Sequence, residues 1–181
     1  ISGKSQPKFI GPYLGQTTPG NKPVPFAPGI VSTSGYEYVG LFAPDMKSFY
    51  FIRGVKGSTK QEFVTYTQKG EQWVQSDVSK RAGQPFITPD GDIMYLGRRF
   101  KERTATGWSE IKMLDAPFND QLIMRLTASA NGTRYFDTYK KGEDAFPIRY
   151  SRLVDGKYEA PQALSKTINT GTYLNHPFIA P

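Results

Sequence analysis

The sequence contains no cysteine and a single histidine, His176. Without thiols there can be no disulfide, thiolate metal site, cysteine nucleophile or thiol redox switch. With one imidazole there is no multi-histidine metal site and one candidate at most for a histidine relay. No apolar run approaches the ~20 residues of a membrane-spanning helix, and helical periodicity is never sustained over three turns. Phosphate-cradling glycine loops, Gly-x-Ser-x-Gly elbows and His-Glu-x-x-His motifs are missing. No catalytic residue, metal or cofactor is therefore assigned. The lack of cysteine leaves the compartment open, because such a chain folds equally well in oxidising and reducing surroundings.

What is present points to β-structure. Aromatic residues make up 14% of the 181 residues, too many for a disordered chain, and 18 glycines with 14 prolines mark a loop-rich fold. The net charge of +7 favours acidic partners. The chain opens at Ile1 without a charged-then-apolar leader, so it is expected to be a trimmed or mature form.

The chain repeats itself. Phe42-Ala43-Pro44-Asp45-Met46-Lys47-Ser48-Phe49-Tyr50-Phe51 returns as Phe86-Ile87-Thr88-Pro89-Asp90-Gly91-Asp92-Ile93-Met94-Tyr95-Leu96. A weaker copy runs from Thr127 through Ala130-Asn131-Gly132 to Phe136, and a fourth begins at Pro177-Phe178-Ile179-Ala180-Pro181. Pro44, Pro89, Ala130 and Pro181 are equivalent, at spacings of 45, 41 and 51 residues. Asp90-Gly91 and Asn131-Gly132 suit turn positions that need positive φ, whereas Met46 predicts a strained or different turn. A second hairpin follows in each copy: Phe63 to Trp73 around Gly70, a polar and shortened Arg98–Ala105 segment before Thr106-Gly107-Trp108-Ser109, and Ile148 to Tyr158 around Gly156. Trp73, Trp108 and Tyr158 share one phase and are expected to pack between neighbouring repeats. Four short strands at a period near 45 residues describe a blade of a β-propeller.

Phe86-Ile87-Thr88-Pro89-Asp90-Gly91 with Met94-Tyr95-Leu96 resembles the repeat of the TolB-like, WD-repeat-like (PD40-type) propellers. Thr106-Gly107-Trp108-Ser109-Glu110 and Asp155-Gly156-Lys157-Tyr158-Glu159-Ala160-Pro161 resemble that family's outer-strand pattern, and Gly11–Gln16 with Phe26–Thr33 its lead-in. The resemblance implies an all-β propeller with a six-bladed ring, and an exported bacterial protein, periplasmic or secreted. It says little of function, because propellers host unrelated activities. The expected organisation is a Pro/Gly-rich lead-in (1–21), an outer strand of a closing blade (22–33), blades at 34–75, 82–114 and 121–164, and the start of a further blade at 173–181. Three blades and a stub cannot close a ring. The chain is thus expected to be a piece of a longer protein or, less favoured, a half-ring that pairs with a second copy.

The loops at 53–60, 76–84, 97–105, 115–121, 137–146 and 165–176 are expected to share one face. They hold twelve cations against seven anions. Arg98 and Arg99 are the natural fork for an anion on such a face. Residues preceding each apolar strand are the candidates for lining the channel: Glu37, Tyr38, Gln84, Asn119, Asp120, Gln121, Asn175 and His176. The expected function is a non-catalytic binding or scaffold module that presents these groups to a protein or an anionic glycan. The alternative is a polysaccharide hydrolase or lyase, which would need paired acids or a base at the channel mouth. Nucleic acid is not an expected partner, because the rings follow β-packing periodicity rather than any nucleic-acid module.

Overall fold

A computed structural model describes residues 9–139 and 145–180. Lys140, Lys141, Glu143 and Asp144 of the expected basic face, Pro181 and the first eight residues of the lead-in lie outside them. The architecture is all-β, with antiparallel sheets and, among the described residues, one 3-10 turn at Tyr13–Gly15 and no α-helix. Two compact units divide the chain, residues 1–81 and 82–181.

The first unit holds one four-stranded meander: β1 (Glu37–Phe42), β2 (Ser48–Gly54), β3 (Gln61–Lys69) and β4 (Gln72–Lys80). Alternation along β2 sends Phe49 and Phe51 into a cluster with Leu14, Ala27, Val31, Val64 and Trp73. Tyr50 faces the other way and stacks on Phe63. Trp73 Nε1 donates to the Gly11 carbonyl at 2.8 Å, which ties the described lead-in to this sheet. Residues 22–33, expected to be an outer strand, are not one. Pro23, Pro25 and Pro28 have no N–H for a ladder, and the segment coils through Val31 N–H to Ala27 (2.9 Å) and Ser32 N–H to Phe26 (3.0 Å), capping the cluster with Ala27 and Val31.

The second unit holds two sheets of the same plan. In one, β5 (Pro85–Ile87), β6 (Ile93–Leu96) and β7 (Arg99–Thr104) form a meander. Its last strand is split: β8 (Gly107–Trp108) pairs the end of β7 and β9 (Lys112–Met113) pairs its start. In the other, β10 (Leu126–Ala128), β11 (Arg134–Phe136) and β12 (Arg149–Ser151) are followed by a short hairpin of β13 (Leu153–Val154) and β14 (Lys157–Tyr158), after which β15 (Gln162–Ala163) returns to β12. The split recurs with its hydrogen bond, since Ser109 N–H reaches the Glu102 carbonyl (2.9 Å) and Glu159 N–H the Arg152 carbonyl (3.0 Å). The middle repeat is thus complete, not shortened: Arg99–Thr104 is its third strand.

The three repeated turns share one bonding scheme. Met46, Gly91 and Gly132 donate N–H to Ala43, Thr88 and Ser129 at 2.9, 2.8 and 2.9 Å. Asp45, Asp90 and Asn131 each accept at Oδ1 from the N–H two residues on. All three donors have positive φ, +59°, +83° and +81°. Met46 therefore occupies the ordinary turn of the repeat under strain, at a cost of roughly 1 kcal/mol for a side chain in the left-handed region.

The two sheets of the second unit pack through Phe86, Tyr95, Leu114, Phe118, Leu126 and Phe136. Arg134, 9% exposed, lies among these rings. Its guanidinium donates twice to the Tyr95 hydroxyl (3.1 and 2.9 Å) and sits 3.8 Å from the Tyr158 ring centre and 4.6 Å from that of Phe118. Ring faces and a hydroxyl take the place of a carboxylate partner. Burial pushes the Tyr158 hydroxyl up to about 12 despite the nearby cation. Tyr158 and Trp73 thus occupy packed positions, whereas Trp108 is half-buried beneath the Arg103 guanidinium.

Candidate functional site

The sequence candidates fall into separate places. Glu37 and Tyr38 belong to the first unit. The Glu37 carboxylate accepts from the Thr33 hydroxyl and closes its own loop. The Tyr38 hydroxyl donates to Gln61 Oε1 (2.9 Å), which also accepts from Arg81 (3.1 Å). Gln84, Arg98, Arg99, Asn119, Asp120, Gln121, Asn175 and His176 belong to the second unit.

There, Gln84 and His176 meet. Their Nε2 atoms lie 2.8 Å apart, the amide N–H donating to the ring nitrogen. Met124 Sδ is 3.2 Å from the same ring nitrogen. By the repeat, Gln84, Arg125 and His176 precede equivalent apolar segments, and the Arg125 guanidinium sits over Phe178, one such segment's ring, at 5.9 Å. Among its described residues the last segment makes no ladder beyond the Phe146–Tyr173 bridge. His176 turns the chain at φ +56° and Pro177 lacks an N–H.

What holds this segment is Asp137, which the sequence reading placed among exposed loop anions. It is 2% exposed. Oδ1 accepts from Met124 and Arg125 N–H (2.9 and 2.8 Å), and Oδ2 accepts from His176 N–H (2.9 Å). A carboxylate with three backbone donors is held in a fixed position. Burial lowers the pKa of the Arg125 guanidinium, and the charge of Asp137 opposes that. The repeat could not have revealed this role, because the position 41 residues earlier, in the preceding repeat, is Leu96.

Beside this node an open groove of about 430 Å³ is lined by Arg98, Met124, Asp137, Tyr139, Phe146, Tyr173 and Asn175 among others. Gly97 sets Arg98 there. It has φ +70°, and a Cβ would come within 2.5 Å of the Ile123 carbonyl oxygen, so only glycine lets this turn close on that backbone. Arg98 spends one N–H on the Asn119 carbonyl (3.3 Å). The three rings pack in series at a tilt, Tyr139 to Phe146 at 4.9 Å and Phe146 to Tyr173 at 5.2 Å. Phe146 is 8% exposed, whereas Tyr139 and Tyr173 are 51% and 70% exposed. Tyr139 and Phe146 went unnoticed in the sequence; the signal was an aromatic on either side of the charged 140–144 run.

The remaining candidates are not in the groove. Arg99 donates to the Ala82 carbonyl (3.2 Å), and Asp120 and Gln121 bond to one another (2.9 Å) on the turn anchored by Phe118. The expected basic loop face is also reduced. Asp77 and Lys80 lie in β4, and Lys101, Glu102 and Arg103 lie in β7. Arg53 pairs with Glu62 at 2.8 Å and Lys112 with Glu102. No protein-family model, curated protein or solved structure matches the chain.

Proposed function

We propose that this chain is a non-catalytic binding module, built of propeller-type blades, that receives its ligand in the second unit's groove. The carrying observation is that Arg98 and two exposed tyrosines line one open groove whose wall is fixed by a buried carboxylate. A cation with unspent N–H groups next to exposed ring faces is the chemistry of ligand capture. The blade reading is supported by three antiparallel sheets of four or five strands and by the thrice-repeated turn. Among the described residues that line the groove, Asp137 is the one carboxylate, and both its oxygens accept backbone hydrogen bonds. That favours binding over the hydrolase or lyase alternative, which needs a second, free acid across the substrate. Beside the node, Gln84 Oε1 and Arg125 Nε are buried with no hydrogen-bond partner among the described residues.

The test is calorimetric titration with acidic probes, comparing the parent chain with Arg98→Gln and Tyr173→Ala. Both variants should weaken binding of whichever probe is taken up. Binding untouched by either would place the site elsewhere, and steady turnover of an acidic oligosaccharide would establish an enzyme instead.

A further inference from the structure

Resting on that binding reading, we infer that the groove's ligand is a carboxylated sugar unit of an acidic oligosaccharide. The argument turns on what the groove's backbone can still offer. A peptide is captured most effectively by adding a strand, which needs free N–H and C=O groups along an edge. Here several N–H groups in and beside the wall are already spent. Tyr139 donates to Leu122 (3.1 Å), Phe146 to Thr172 (2.8 Å), and Leu174 to Phe146 (3.3 Å). Met124, Arg125 and His176 all donate to Asp137. What the groove offers most prominently is side chains: ring faces, the Arg98 fork and the Asn175 amide.

That set matches a uronate. A pyranose presents a face of C–H groups that lies against an exposed tyrosine ring, and its hydroxyls pair with an amide such as Asn175. Its carboxylate takes a guanidinium through two parallel N–H···O bonds. Charge supports the same ligand. Arg98 brings a cation to the groove, while the negative charge of Asp137 is offset by three backbone N–H groups and the adjacent Arg125 guanidinium. An anion entering the groove therefore meets a net attraction.

The experiment titrates the whole chain with three probes: a short oligogalacturonate, its methyl-esterified counterpart, and an acidic peptide of equal charge. The oligogalacturonate should bind, and esterification should weaken it about tenfold by removing the charge-assisted pair. Arg98→Gln should lower oligogalacturonate affinity by the same factor while leaving the esterified sugar unchanged. Tyr173→Ala should weaken both sugars. Arg99→Gln, whose guanidinium is held at the Ala82 carbonyl outside the groove, should alter neither. Circular dichroism melts of each variant keep a folding defect from passing as lost binding. Uptake of the peptide in preference to both sugars, still dependent on Arg98 and Tyr173, would overturn the sugar assignment and leave the binding reading standing. Uptake of no probe would overturn both.

Discussion

The two units build the same repeat in different ways. In the first, β3 and β4 run nine residues each and absorb their twist in one bulge between Thr65 and Tyr66. In the second, the outer strands break at Ser109–Ile111 and Glu159–Pro161. The first unit's core is a nearly pure apolar cluster closed by a proline-rich coil. The second inserts a guanidinium between rings and a carboxylate beneath a loop. Long uninterrupted ladders satisfy the backbone internally and leave side chains little to do. Short, broken ladders free backbone donors, and buried polar side chains such as Asp137 must answer them. The groove stands where that substitution was needed.

The contrast can be broken most severely at the cores. Phe136→Ala should destabilise the second unit by about 3–5 kcal/mol, because a fully buried ring leaves a cavity in its place. Hydrogen exchange should show the loss in β10–β12, whereas Phe51→Ala should show it in β2–β4. Next in size is Asp137→Ala, which orphans three backbone N–H groups at a cost of about 1–3 kcal/mol or more. Its particular signature is early proteolytic cleavage within residues 172–180, since His176 N–H loses its anchor.

Smaller effects compare the turns directly. Met46→Gly should raise stability by up to about 1 kcal/mol by relieving a left-handed side chain, with part of the gain offset by backbone entropy. Gly91→Ala and Gly132→Ala should each lower it by about 1 kcal/mol. Gly132 should be the worse of the two, because its Cβ would meet Leu153 at 3.2 Å while that of Gly91 meets nothing within 4 Å. Denaturant midpoints at constant slope are the measurement.

The smallest effect is a pH dependence. The Thr88 hydroxyl and then Asp92 N–H hold the Asp90 carboxyl below its usual range. A depressed carboxyl stabilises the fold above its unfolded pKa of ~3.9, and that contribution is lost as pH falls through the lower folded value. Asp90→Asn should keep the turn, as Asn131 does in the third repeat, and flatten the acid limb of the melting curve.

The strands, turns and repeat were legible from period-two alternation and from Asp-Gly or Asn-Gly at fixed phase. Even the strain at Met46 could be expected from one missing glycine. The split outer strands were not legible, because Ser109 and Glu159 look like ordinary turn residues until their partners across the strand are known. Of the ten candidate site residues, Arg98 and Asn175 line the groove and His176 adjoins it, whereas Arg99, one position from Arg98, is held at the Ala82 carbonyl.

By itself, then, the amino-acid order determined where extended chain and tight turns alternate, because those choices rest on neighbours within a few residues. Only the tertiary structure decided that an aspartate among apparent loop charges is a buried clamp, and that Tyr139, Phe146 and Tyr173 form one row of tilted rings. Those facts depend on contacts between segments up to 39 residues apart, such as Asp137 with His176, and no local pattern carries that information.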